Sequence, residues 1–390
     1  MTYPGLIILL LISLLIPPLS AGASGALQVG ADLPGVALFL NGTYIGDTPQ
    51  TISVNEQGEY QIAATLPGRI TQEKNITVTN ETLVPIFFTF GPGQPEPYPG
   101  LIRIHDCVGT PEKTGLYGTS VTVATMSDGT LMAYYSGFGE GVRCAGSDDG
   151  SRWHEYPEGC LPVSGNGGNP GFPLTRPWVY ASADGGFRMI YLSDGGDGPS
   201  LFRASSIDGV TFTPDGKVTI NHSPEAAVAS PEQESIPTGL HLADGTLRMY
   251  YSAPGGGIRS ALSHDDGLTW TDEGGFRLTS ATDPSIVLFP DNRFGLFYVD
   301  LSAGSKGQKL MVTTSSDGLL FNSSDTGAVI ESEEKGVWIL DPDVYVSKEG
   351  RWTLYFSLLG KSGEAGITVP TIMSSVIDPD CLTGRINQNT

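Results

Sequence analysis

Basic residues are scarce in this chain: 21 lysines and arginines stand against 42 aspartates and glutamates over 390 residues. The resulting net charge of −21 repels phosphate backbones and anionic lipid, which excludes nucleic acid as a partner. The excess acid reads as a solvated face that keeps an exported protein soluble. After Ile16 no apolar run approaches the length of a membrane span. Apolar periodicity of the helical kind is also missing beyond the N-terminal segment, which argues against a helical fold. No cysteine–histidine metal spacing and no glycine-rich phosphate loop occurs, and the five histidines are scattered. Only four cysteines are present, Cys107, Cys144, Cys160 and Cys381, and they allow three pairings.

Turn-forming residues are abundant. Gly (52) and Pro (28) make up about a fifth of the chain, and short alternating segments such as Thr246–Ser252 (TLRMYYS) run between the turns. This pattern predicts an all-β protein. The start of the chain differs. An apolar run from Leu6 to Ile16 leads into Pro17, Pro18 and the small residues Ala21-Gly22-Ala23. It predicts an export signal over residues 1–23, cleaved or retained as an anchor, and hence a secreted or cell-surface protein. Asn-x-Ser/Thr sequons at Asn41, Asn75, Asn80, Asn221 and Asn322 fit an exported, glycosylated surface.

Residues 26–90 alternate short strands with turns at Pro34-Gly35, Asn41-Gly42, Gly46-Asp47-Thr48-Pro49 and Gln57-Gly58. The segment Pro34-Gly35-Val36-Ala37, the Gly-x-Thr-Pro turn and the overall spacing resemble the PEGA domain. That resemblance implies a small β-sandwich acting as a surface spacer or cell-envelope binding module. Gly91–Gly100 (GPGQPEPYPG) then reads as a semi-extended linker.

From residue 101 to 390 the chain repeats. Strands following a turn end at Ser136, Ser193, Ser252, Asp300 and Ser357, at intervals of 57, 59, 48 and 57 residues. A second marker follows each of the first four: SDDGSRW, SIDGVTF, SHDDGLTW and SSDGLLF, whose Asp-Gly pairs step by 59, 58 and 51 residues. Five repeats of this length, each carrying four strands, predict a five-bladed β-propeller. The fullest marker, Ser263–Trp270, resembles the Asp-box of sialidase-like propellers. An element present in four blades is read as structural: aspartate caps the turn, glycine takes the positive φ and the aromatic residue packs. The recurring hairpin also resembles the five-bladed arabinanase, β-xylosidase and invertase group of glycoside hydrolases. The repeat places Cys107 before the first blade and Cys381 after the last, which favours Cys107–Cys381 as a clasp and Cys144–Cys160 across the first hairpin. Closing the long loop would remove chain entropy from the unfolded state.

Propeller sites lie on the central axis, where the innermost strands begin. Counting eight residues back from the turn residues Asp128, Asp184, Asp244, Asp291 and Glu349 reaches Ser120, Arg176, Ile236, Asp283 and Asp341. Proline follows in four of the five (Pro177, Pro237, Pro284, Pro342). Arg176, Asp283, Asp341 and Asp343 are thus expected to face one funnel, with Glu234 and Glu232 nearby and Trp178 and Tyr117 placed to stack on a sugar. The resemblance to the glycoside hydrolases implies an inverting pair of carboxylates. Glu234 would be the acid, Asp283 or Asp341 the base or its tuner, Arg176 and Asp343 substrate ligands. The first blade offers Ser120 where the family places its base, so Asp106 would have to substitute. The expected partner is a glycan or cell-envelope polymer, hydrolysed or simply bound. No cofactor is expected, although Asp283, Asp341 and Asp343 are hard oxygen ligands of the kind that hold calcium.

Overall fold

The structure, a computed structural model, describes residues 25–31, 36–41, 43–65, 72–79, 82–88, 102–137, 141–156, 159–161, 175–194, 199–222, 235–253, 256–302, 309–321, 327–332, 337–360 and 370–388. The N-terminal apolar segment, the 91–100 linker, Glu232, Glu234, Asn80 and Asn322 lie outside the described residues. No helix among the described residues is long and apolar enough to cross a membrane. The chain divides into two compact units, Met1–Gln94 and Pro95–Thr390.

The first unit is a seven-stranded sandwich. Its strands are β1 (Gly25–Ala31), β2 (Ala37–Leu40), β3 (Thr43–Asp47), β4 (Gln50–Val54), β5 (Gly58–Thr65), β6 (Gln72–Val78) and β7 (Thr82–Phe88). They form two sheets, in the orders β4-β1-β7 and β3-β2-β5-β6. Alternate residues of both sheets, including Leu27, Val29, Leu38, Ile62 and Phe88, bury one shared core.

The second unit opens with two strap strands, β8 (Ile102–Ile104) and β9 (Glu112–Tyr117). Blade 1 follows as β10 (Thr119–Thr125), β11 (Leu131–Ser136), β12 (Val142–Ser147) and β13 (His154–Glu155). Blade 2 is β14 (Thr175–Ala181), β15 (Phe187–Asp194), β16 (Pro199–Ser206) and β17 (Thr213–Lys217). Blade 3 comprises β18 (Thr219–Asn221), β19 (Ser235–His241), β20 (Leu247–Ala253), β21 (Gly257–Ser263), β22 (Thr269–Asp272) and β23 (Leu278–Thr279). Blade 4 contains β24 (Ala281–Leu288), β25 (Phe294–Asp300), β26 (Lys309–Ser315) and β27 (Gly327–Ser332). Blade 5 is β28 (Val337–Val346), β29 (Trp352–Gly360) and β30 (Thr371–Ile377), after which comes α1 (Pro379–Gln388).

Each blade is built on an antiparallel meander, to which β18 adds as a parallel edge strand beside β22 in blade 3, and the first strands β10, β14, β19, β24 and β28 touch one another in a closed ring. The strap seals that ring from outside: β8 adds to the edge of blade 4, and β9 becomes the outermost strand of blade 5. Five separate apolar clusters fill the five seams between neighbouring blades. Both expected disulfides form, Cys107–Cys381 and Cys144–Cys160, with Cα–Cα distances of 5.4 and 5.7 Å.

The stretch Ser263–Trp270 is a turn closed by its own side chains. Asp265 accepts hydrogen bonds from the Leu268 and Thr269 amides and from the Thr269 hydroxyl, and the Gly267 amide donates to Ser263 Oγ. Trp270 is fully buried and donates to the Gly267 carbonyl at 3.0 Å. These turns also join blades. Tyrosine hydroxyls of the preceding blade donate to turn carbonyls: Tyr134 to Gly209 at 2.5 Å, Tyr250 to Gly318 at 2.7 Å and Tyr355 to Gly150 at 3.5 Å. At the corresponding place in blade 2 stands Ile190, and Tyr180 from the inner strand bonds the Asp266 carbonyl instead.

The strand alignment needs one correction. Ser136, Ser252 and Ser357 occupy equivalent positions, but in blades 2 and 4 the equivalent residues are Leu192 and Val299, one before Ser193 and Asp300. The hydroxyl and carboxylate that end the sequence pattern in those two blades lie one residue beyond it and face the other way, because strand side chains alternate. Trp270→Ala is expected to cost ~3–5 kcal/mol, and Tyr250→Phe, which orphans a buried carbonyl, ~1–2 kcal/mol, both read from denaturant midpoints.

Candidate functional site

The five positions reached by counting are a distinct backbone class. Ser120, Arg176, Ile236, Asp283 and Asp341 have φ of 55, 59, 52, 53 and 50°. Each sits where the pairing of its inner strand with the next slips, a β-bulge. A bulge leaves one residue outside the ladder, and the proline that follows in four blades has no amide to leave unpaired.

Three of the left-handed residues donate their amide to a serine of the preceding blade: Arg176 to Ser136 at 2.8 Å, Asp283 to Ser252 at 3.0 Å, and Ser120 to Ser357 at 3.0 Å. Val299 has no hydroxyl to offer Asp341, whose amide donates to Asp283 Oδ2 at 3.3 Å instead. Asp341 Oδ2 in turn accepts from the Ser120 amide at 3.1 Å. A second tier repeats the pattern: Val344 donates to Ser285 Oγ and Val123 to Asp343 Oδ2, both at 3.0 Å. Serine thus performs in one blade the tie that aspartate performs in the next.

Asp341 and Asp343, with Ser120, Arg176, Ile236 and the proline column, line an axial cavity of about 20 Å³, of the order of one water. Asp283 and Asp341 are buried. Burial lifts both carboxyls above the usual range, the charge of Asp341 adds to this for Asp283, and Arg176 opposes it for both. Burial also pushes Asp343 up to about 7. Among the described residues Arg176 makes no ion pair, and no group of three acidic, histidine or cysteine side chains is placed to hold a metal.

Arg176, Asp283, Asp341 and Asp343 are brought together. Three other expected site residues are not. Trp178 borders the cavity with one edge but is 5% exposed. Its ring packs on Tyr180 at 4.6 Å and near Trp270 at 6.3 Å, in the seam between blades 2 and 3. A Cβ on Gly239 would meet this indole at 2.6 Å, so it is a core residue and not a stacking platform. Asp106 lies in the turn between β8 and β9, on the outer edges of blades 4 and 5, which carries it to the rim. Tyr117 ends β9 opposite Thr371 and is likewise on an outer strand. The residues overlooked in the sequence are the serines, Ser136, Ser252, Ser285 and Ser357. Their signal was the fixed spacing of eight from the turn residue to Ser136, Ser252 and Ser357.

A PEGA domain matches residues 24–94. The sequence has no match among curated proteins. Among solved structures, a GH43 β-1,3-galactosidase with galactodeoxynojirimycin aligns at 15% identity and TM-score 0.51, over 66% of this chain and 90% of its own. A native arabinanase from Bacillus subtilis aligns at 13% and 0.50, over 68% and 96%. The RS223 β-xylosidase aligns at 12% and 0.51, over 70% and 97%. The likeness establishes the fold: a sandwich followed by a five-bladed propeller of the glycoside-hydrolase type.

A carboxyl held up to about 7 from an ordinary 3.8 keeps its proton in the folded state after the unfolded chain has released its own. The folded state then binds more protons, and this contribution to stability falls as pH rises from about 4 to about 7. Asp343→Asn is expected to raise Tm at pH 7.5, with the difference from wild type vanishing near pH 4.

Proposed function

We propose that the chain is an exported carbohydrate-binding protein on a glycoside-hydrolase scaffold, engaging a glycan or cell-envelope polymer without cleaving it. The observation that carries this reading is the use made of the axial carboxylates. Asp283, Asp341 and Asp343 each accept a backbone amide from the next inner strand. The cavity that Asp341 and Asp343 border is about 20 Å³, against roughly 300–1,000 Å³ for ligand pockets. Carboxylates committed to ties around a water-sized cavity are poorly placed to flank a glycosidic bond. Export is supported by the N-terminal apolar segment, by two disulfides, which persist in oxidising compartments, and by the PEGA domain. The family likeness to proteins named for galactosides, arabinans and xylosides supports the ligand class.

Hydrolysis is favoured by one observation. Burial pushes the Asp343 carboxyl up to about 7 on a cavity wall shared with Arg176, the environment of a general acid. In that reading Glu234 would supply the second carboxylate.

A panel of envelope polysaccharides and oligosaccharides, assayed in parallel for binding by calorimetry and for reducing-end release, separates the two. Binding without release is expected, and Asp343→Asn should bind as wild type does. Release that disappears in both Asp343→Asn and Glu234→Gln would replace this reading by hydrolysis, and a panel with no binding would remove both.

A further inference from the structure

We propose that this chain transmits tension along its length with the propeller held outside the path of the force. Two independent features of connectivity carry the inference, and neither depends on which glycan is bound.

The first lies in the sandwich. Its first and last strands, β1 and β7, are parallel neighbours, in register from Gly25↔Thr82 to Ala31↔Phe88. In a parallel pair the end where the chain enters one strand and the end where it leaves the other lie at opposite ends of the ladder. A pull on both slides one strand along the other, so the hydrogen bonds of the ladder are strained together and must fail together. Its other neighbour shows the contrast. β1 and β4 are antiparallel with Gly25 opposite Val54, so a pull on those two ends would open the ladder one pair at a time.

The second lies in the strap. Cys107 is bonded to Cys381, 274 residues further along the sequence. Tension arriving at Cys107 crosses the disulfide and leaves through α1. Every strand from β9 to β30 lies on the covalent branch between these two cysteines, and that branch carries none of the force. Of the propeller strands only β8, three residues on the edge of blade 4, stands in the path. Without the bond, stretching the same branch would release roughly 900 Å of chain. The fold thus keeps the propeller in shape while the chain on either side of the two cysteines is under tension.

Single-molecule stretching of the full chain, held at both ends, tests this. In oxidising buffer the expected record contains an opening of the 25–88 sandwich with a contour gain of roughly 200 Å, and no longer event. Adding a thiol reductant should expose a further gain of roughly 900 Å. Cys107→Ser combined with Cys381→Ser should show it without reductant; should that variant not fold, the reductant arm on the native protein decides alone. Moving the second attachment to Glu56, just past β4, converts the sandwich from sliding to peeling and should lower its opening force several-fold. The long gain in oxidised, unmodified chain, or equal sandwich forces in the two attachments, would overturn the proposal.

Discussion

The ring depends on one backbone constraint: the first turn of each inner strand is made by a residue in the left-handed region. For residues other than glycine this conformation costs roughly 1–2 kcal/mol each, and at Ile236 a β-branched side chain makes it less favourable still. Such residues persist only where their surroundings over-determine them. Here the surroundings are the neighbouring blades. At Ser120, Arg176, Asp283 and Asp341 the kink turns an amide out of its own sheet, and a hydroxyl or carboxylate of the adjacent blade receives it. Proline in the next position removes the amide that would otherwise have no ladder partner.

Seen from this constraint, the conspicuous charges on the axis have a structural origin. Asp283 receives the Asp341 amide in the seam where Val299 stands at the serine position. Asp343 does for Val123 what Ser285 does for Val344. Arg176 sits close enough to oppose the charge of the two buried aspartates without contacting them. In the first four blades the aspartate turns act as a second set of ties, their carbonyls held by tyrosines of the preceding blade. Each seam is thereby held at the axis, at a turn or at both, with an apolar cluster between. In this chain the carboxylates of Asp283, Asp341 and Asp343 accept amides of the ring itself.

Much of this was legible in the sequence. The repeat, the five-position column, the turn chemistry of Ser263–Trp270 and both disulfides follow from spacing alone, because turns of fixed length impose fixed intervals. The column was correct because it was counted from a turn residue with a constant offset. The strand ends in blades 2 and 4 were misaligned because they were matched on residue type, and Ser193 and Asp300 are polar neighbours of the true positions. Trp178 could not be placed from the sequence: the same inner strand has an axial face and a seam face, and only packing against Trp270 and Gly239 decides between them. Asp106 was displaced by the strap, whose two short strands join different blades. The parallel pairing of β1 with β7 carries no local sequence signal, since it joins residues more than fifty apart.

Amide hydrogen exchange at the strand heads reaches the central claim most directly. If the left-handed residues are tied into the neighbouring blades, the amides of Ser120, Arg176 and Asp283 exchange as slowly as those in the middle of β11 and β20, and Ser136→Ala releases Arg176 alone. Exchange of these three amides at the rate of open turns in the native protein would contradict the account.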